Sequence, residues 1–125
     1  MEEFNLNKLT EKIIGIAIDI HKELGPGFAE KVYQRIMYLE LKRNSLGIER
    51  EYKITVHWNK NIVGYHVVDF LINNSIIVEI KATAETQEIH KYQLLSYLKA
   101  ADKRLGLLLN FGSGTLGIKR VVNKL

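Results

Sequence analysis

Two strand-like runs constrain this chain more than anything else in it. They are IVGYHVVDFLI (Ile62–Ile72) and SIIVEIKAT (Ser75–Thr83), joined through Asn73 and Asn74. β-branched and aromatic residues dominate both, and paired asparagines are a turn signal, so the runs read as an antiparallel hairpin. Yet Asp69, Glu79 and Lys81 sit inside otherwise apolar sequence.

Hairpin register decides where those charges go, because strand side chains alternate between faces. A two-residue loop would set Ile72 opposite Ser75, Asp69 opposite Val78 and Val68 opposite Glu79. Both faces would then mix charged and apolar groups. A three-residue loop, or an equivalent bulge, sets Ile72 opposite Ile76 and Asp69 opposite Glu79. One face then carries Val68, Phe70, Ile72, Ile76, Val78 and Ile80. The other carries Val67, Asp69, Leu71, Ile77, Glu79 and Lys81. Only this second register segregates the pattern, and it is the one expected.

That register makes two carboxylates near neighbours, since directly opposite residues have Cβ atoms roughly 4.5–5.5 Å apart. Close carboxylates favour protonation unless a cation lies between them. A divalent metal is the obvious cation, and oxygen-only ligands favour Mg²⁺ or Mn²⁺ over Zn²⁺. Lys81 points the same way as Glu79, where it would act on an attacking water or on charge developing at a phosphate. The plainer alternative is an ion pair on a solvated face. E-x-K alone is a weak signal, because both residues are common.

The rest of the chain supplies a frame. Its 125 residues, 46% of them hydrophobic, fit one domain over 1–125 with a single core. There is no cysteine, which excludes disulfides and thiolate metal sites and suits the cytoplasm. The polar start MEEFNLNKLTEK does not resemble a signal peptide, and no apolar run reaches the ~20 residues of a membrane span. A net charge of +4 gives a mild attraction to polyanions and decides little alone.

Helical periodicity predicts a helix over Leu9–Leu24, its apolar face holding Leu9, Ile13, Ile16, Ala17, Ile20 and Leu24, stopped by Gly25-Pro26-Gly27. A second helix is predicted from Phe28 to Ser45, with Val32, Ile36 and Leu39 as its core stripe and Tyr33, Met37 and Leu41 beside it. IEREYKITVHW (Ile48–Trp58) reads as a strand, turning through Asn59–Asn61 into Ile62–Ile72. A third helix over Thr86–Asp102 would bury Ile89, Leu94, Leu95, Leu98 and Ala101. RLGLLLNF (Arg104–Phe111) and GIKRVV (Gly117–Val122) complete the strands. A helix crossing between the third and fourth strands favours a parallel pair, hence an α/β sandwich with a mixed sheet.

These residues resemble the PD-(D/E)XK nuclease superfamily. Asp69 stands for the first acid of its motif, with Val68 in place of the proline, and Glu79-Ile80-Lys81 stands for E-x-K. The chain is further similar to the GxxExxY group, whose signature is matched by Gly27-Phe28-Ala29-Glu30-Lys31-Val32-Tyr33. HKELGPGFAEKVY, VEIKA, HKYQLLSYLK and GLLLNFG look like this group too, so the resemblance runs from about Leu9 to Val122.

The resemblance implies a restriction-endonuclease-like α-β-β-β-α-β core with an extra N-terminal helix and a C-terminal strand. It implies metal ligation by Asp69, Glu79 and the backbone carbonyl of Ile80, with Lys81 as the catalytic lysine. Glu30 would be an additional acid near the metal; alternatively it is a solvated residue at a helix start, favoured by the dipole. Gln93 would position the lysine, water or substrate from the third helix, unless it is simply a polar surface residue. His90, Gln93 and Tyr97 share a helix face and would edge the cleft. Tyr33 would support the site from behind or pack in the core with a bonded hydroxyl. His21, His57 and His66 lack paired ligand spacing and read as structural.

The expected activity is Mg²⁺- or Mn²⁺-dependent hydrolysis of DNA or RNA without sequence specificity. One site cuts one strand, so double-strand cleavage would need a homodimer or a second binding event. The alternatives are a catalytically silent nucleic-acid- or protein-binding module on the same fold, and a small-molecule phosphohydrolase.

Overall fold

A computed structural model of the protein describes residues 3–124. The expected domain over 1–125 therefore includes residues 1, 2 and 125, which lie outside the described residues. The chain runs α1 (Glu3–Leu24), α2 (Glu30–Arg43), β1 (Ile48–Trp58), β2 (Asn61–Ile72), β3 (Ile76–Lys81), α3 (Glu88–Ala101), β4 (Leu105–Asn110) and β5 (Gly117–Val122). The strands form one sheet in the order β1-β2-β3-β4-β5, with β3 and β4 parallel as the α3 crossover requires. The other neighbouring pairs are antiparallel.

One core lies between the sheet and α1 and α2, and takes in Ile13, Ala17, Met37, Phe70, Ile72, Val78 and Ile80. The other lies beneath α3, where Leu94 and Leu98 meet Ile54, Leu71, Ile77, Leu108 and Val121. β3 and β4 are covered on both sides, which is why their sequences are almost wholly apolar.

The α1–α2 turn sets the rotation of α2. Gly25 and Gly27 have φ of +68° and +118°, a backbone that only glycine adopts easily. The Tyr33 hydroxyl donates to the Gly25 carbonyl at 2.6 Å and accepts from the Phe28 N–H at 3.2 Å. Its ring stacks on Phe111 at 4.8 Å. The anchored Tyr33 makes Tyr33, Met37 and Leu41 the buried row, an i, i+4 series. The expected stripe is thereby rotated: Leu39 is 63% exposed and Ile36 only packs at the margin. In α3 the buried row is Leu94 and Leu98, and Ile89 lies off it, exposed rather than buried.

The β2–β3 register is the segregating one. Ile72 faces Ile76, Leu71 faces Ile77 and Phe70 faces Val78. Asn73 and Asn74 take left-handed φ of 50° and 54°, which asparagine tolerates, and the Ser75 N–H closes the turn on the Ile72 carbonyl at 3.0 Å. Ser75 is the extra residue.

Val68 departs from the expected faces. It packs in the α3-side core with Leu71, whereas Phe70 and Ile72 pack toward α1 and α2. Strict alternation would keep Val68 with Phe70. The break occurs where Glu51 of β1 adopts φ of 48° and where Glu51 and Asp69 both drop out of the β1–β2 ladder, between the pairs Arg50–Phe70 and Tyr52–Val68. Both strands change face there, so Ile48 packs with one core and Tyr52 and Ile54 with the other.

Candidate active site

Asp69 lies at that break because its backbone has been drawn toward β3 by side chains. Past Phe70–Val78 the two strands no longer pair through their main chains. Instead the Asp69 N–H donates to Glu79 Oε1 at 2.8 Å, and the Ile80 N–H donates to Asp69 Oδ2 at 2.7 Å. Each carboxylate replaces a carbonyl that a regular ladder would supply, which both opens the strands and fixes the acids. A strand residue directs its N–H and C=O to the same edge. The Ile80 carbonyl therefore opens toward β2, beside Asp69.

α2 contributes from one side. Gln34 Nε2 donates to Asp69 Oδ1 at 3.0 Å and reaches Glu30 Oε2 at 3.4 Å. Glu30 itself is exposed in the first turn of α2. α3 contributes from the other side, where Tyr97 stacks on His66 with ring centroids 3.7 Å apart and planes 13° apart. Glu79 and Lys81 alternate with Val78 and Ile80, so they face α3.

The electrostatics are those of an uncompensated acid pair. Burial pushes Glu79, which is only 8% exposed, up to about 7; the Asp69 carboxylate and Glu30 add to the rise, while the Asp69 N–H and Lys81 oppose it. Asp69 is raised as well, first by burial and then by Glu30, against the opposing Ile80 N–H, Lys81 and Gln34. The Tyr97 phenol is raised by burial and by Glu79. Burial and Lys81 hold His66 below the ordinary imidazole range.

The donor set fits a hard divalent cation. Asp69, Glu79 and the Ile80 carbonyl offer only oxygen, and the one lysine among these residues leaves the acids undercompensated. Among the described residues no three His, Cys, Asp or Glu side chains group to hold a metal by themselves. Two carboxylates and a carbonyl are a donor set that Mg²⁺ accepts, since it keeps several waters and binds through one or two carboxylates plus phosphate oxygens. Mn²⁺ shares the preference for oxygen.

Asp69, Glu79, Lys81, Glu30 and Tyr97 thus lie within electrostatic reach of one another along short chains of neighbours. Gln93 is exposed on α3, and among the described residues no hydrogen bond joins it or His90 to Asp69, Glu79 or Lys81. His90 is half-buried with a buried Nδ1 that lacks a partner among the described residues. Tyr33 is fully buried, and its hydroxyl is committed to the α1–α2 turn. Two neighbours escaped the sequence. Gln34 stands one helical turn after Glu30, the only signal it gave. His66, whose spacing reads as structural, stacks on Tyr97 and feels Lys81.

A family model described as the PD-(D/E)XK nuclease superfamily matches residues 7–121. The chain belongs to this superfamily. The superfamily is named for nucleases, and divalent metals are the cofactors typical of such enzymes. The chain is also similar to a solved structure titled "Crystal structure of SSO0001", with a TM-score of 0.62 and 20% identity, covering 76% of this chain and 50% of that one. It spans about half the length of that protein. At this identity the likeness is one of fold, and it agrees with the restriction-endonuclease-like core expected of the chain. No curated protein matches. Among the described residues no helix is long and apolar enough to cross a membrane.

Proposed function

We propose that this PD-(D/E)XK protein is a Mg²⁺- or Mn²⁺-dependent nuclease of the GxxExxY group that hydrolyses phosphodiester bonds without reading sequence. The observation that carries this reading is the reciprocal anchoring of Asp69 and Glu79 across the opened strands, with Lys81 on the same face as Glu79. Asp69, Glu79 and the Ile80 carbonyl would hold the cation. When bound, it supplies positive charge that stabilises the attacked phosphate and makes water more acidic. Gln34 fixes Oδ1 of Asp69 while the Ile80 N–H fixes Oδ2, so the carboxylate is held from both ends. Lys81 offers an ammonium beside Glu79 for the charge that grows on the phosphate as the attacking oxygen approaches. His66 and Tyr97 stand on the α3 side as a stacked, half-buried pair. Sequence-independent contact with the phosphate backbone accords with a net charge of +4.

The test is cleavage of plasmid, single-stranded DNA and RNA with Mg²⁺ or Mn²⁺, by wild type and by Lys81→Ala. Wild type is expected to cut and the variant to lose nearly all activity. Equal activity in the two proteins would place the chemistry elsewhere. An inert wild type on every substrate would leave a binding module.

A further inference from the structure

The charges of α2 are sorted by side. Lys31, Arg35, Tyr38 and Lys42 recur at intervals of four, three and four residues, so they share one flank of the helix. The Glu40 carboxylate and its partner Arg43 lie on the other flank, toward α1. The basic flank faces β1. Arg50 lies 4.1 Å from the centre of the Tyr38 ring, and the Lys42 ammonium 5.3 Å from it.

This seam holds a cavity of about 120 Å³ lined by Lys31, Gln34, Arg35, Arg50, Glu51 and Asp69. It lies where Glu51 and Asp69 both leave the β1–β2 ladder. It adjoins the acid pair, because Gln34 donates to Asp69 Oδ1. Its volume is well below the ~300 Å³ of a small-molecule site. There is room for one charged group and not for a whole nucleotide.

Three cations converge on this small space. Lys31, Arg35 and Arg50 make no ion pair among the described residues. Nor do they compensate the acid pair, since Lys81 is the cation that counters Asp69 and Glu79. Of the two carboxylates in the lining, Asp69 would be neutralised by the divalent ion, which leaves three cations against Glu51. Such a cluster suits an anion, and a guanidinium fork matches phosphate oxygens two at a time. Because these cations act apart from the acids, the phosphate they suit is a neighbour of the one under attack.

We propose that Lys31, Arg35 and Arg50 form a subsite for the backbone phosphate next to the scissile one, so that the strand enters the site along the seam between α2 and β1. The subsite rests on the nuclease reading for its scissile neighbour, but its binding test does not depend on cleavage.

Full-length protein in EDTA would be titrated with labelled oligothymidylate at several salt concentrations, with anisotropy as the readout. The Arg35→Gln/Arg50→Gln variant should bind on the order of tenfold more weakly than wild type. Its plot of log K against log salt should be shallower by about 0.7, the mark of one lost phosphate contact on a single strand. The charge-matched Lys12→Gln/Lys22→Gln variant, altered at exposed positions of α1, should keep the wild-type slope. Arg50→Gln also loses its contact with Tyr38. Arg35→Gln alone, with an unchanged unfolding midpoint, therefore keeps the test independent of folding. A second measurement locates the subsite, using Mg²⁺ and a strand with a single cleavable linkage. An uncharged methylphosphonate on one side of that linkage should raise KM for wild type and leave that of the double variant as it was. Wild-type affinity and slope in both arginine variants, or an equal loss in the α1 variant, overturns the proposal. So does a methylphosphonate effect of equal size in wild type and double variant. A protein that cuts while its arginine variants bind like wild type keeps the nuclease reading and loses this one. Weakened binding in the variants of a protein that cuts nothing leaves the phosphate subsite and removes the nuclease reading.

Discussion

The main-chain N–H of Asp69 is held by the carboxylate of Glu79 at 2.8 Å, so one acid of the site determines where the backbone of the other runs. The pair is coupled in position as well as in charge. Replacing Glu79 therefore does two separable things: it removes a charge, and, with alanine but not with glutamine, it removes an acceptor.

The charge effect is visible in stability. Glu79 ionises near 4.5 in the unfolded chain and near 7 in the fold. Between those values the folded protein holds a proton that the unfolded chain has lost. Metal-free stability should accordingly fall as pH rises from about 4.5 to about 7, by on the order of 2 kcal/mol. Glu79→Gln keeps the acceptor and should flatten that slope. Urea unfolding in EDTA at several pH values measures it, and an unchanged slope in the variant would assign the dependence to other groups.

Cation binding should reverse the trend. Mn²⁺ or Mg²⁺ needs both acids ionised, so it should raise the thermal midpoint more at pH 8 than at pH 5.5. At a hundred times Kd the gain is about 2.7 kcal/mol. Calorimetric titration of wild type and Glu79→Ala with Mn²⁺ checks the site. Equal affinities would mean that the ion sits elsewhere.

Gln34 has a role that Gln34→Leu can isolate. The variant removes the donor to Asp69 Oδ1 and the bridge to Glu30. Loss of such an orienting partner typically costs 10–100-fold in metal affinity or activity. The expected signature is a higher Mg²⁺ requirement with a nearly unchanged unfolding midpoint.

Tyr33→Phe should behave in the opposite way. It keeps the stack on Phe111 and loses both hydroxyl bonds in the α1–α2 turn. A cost of about 1–2 kcal/mol in denaturant unfolding is expected, with cleavage per folded molecule intact. A large loss of turnover without loss of stability would return Tyr33 to the site.

Gly112→Ala tests how the far end of β3 is held. A Cβ there would come within 2.3 Å of the Thr83 carbonyl oxygen. Asn110 also ties Thr83 and Gly112 together through its side-chain amide. The backbone must move to admit the methyl group, so a loss of about 3 kcal/mol or more is expected, read as a drop in midpoint or in soluble yield.

Much of this architecture is legible in the sequence where the signal is local. Alternation within Ile62–Thr83 carries the odd turn, because only that turn separates apolar from charged positions. Ile48–Trp58 and Gly117–Val122 match β1 and β5 end for end. What the sequence hid depends on partners far along the chain. The face of Val68 follows from the left-handed Glu51 on the neighbouring strand. The azimuth of α2, and with it the reach of Gln34, follows from Tyr33 meeting Gly25 and Phe111. The stack of His66 on Tyr97 joins a strand to a helix that no periodicity links.

The three-residue turn at Asn73–Ser75 also bears on how the chain reaches its fold. Asp69 and Glu79 are only ten positions apart, so their meeting requires closing one short loop, an event of about 1–10 μs. β4 cannot join β3 until α3 has crossed over the sheet, a slower and more distant closure. Like charges are therefore brought together while water still surrounds them and weakens their repulsion. The conflict reaches full strength only when the later elements dock and shut the solvent out, so it falls on the last stage of folding rather than on its nucleation.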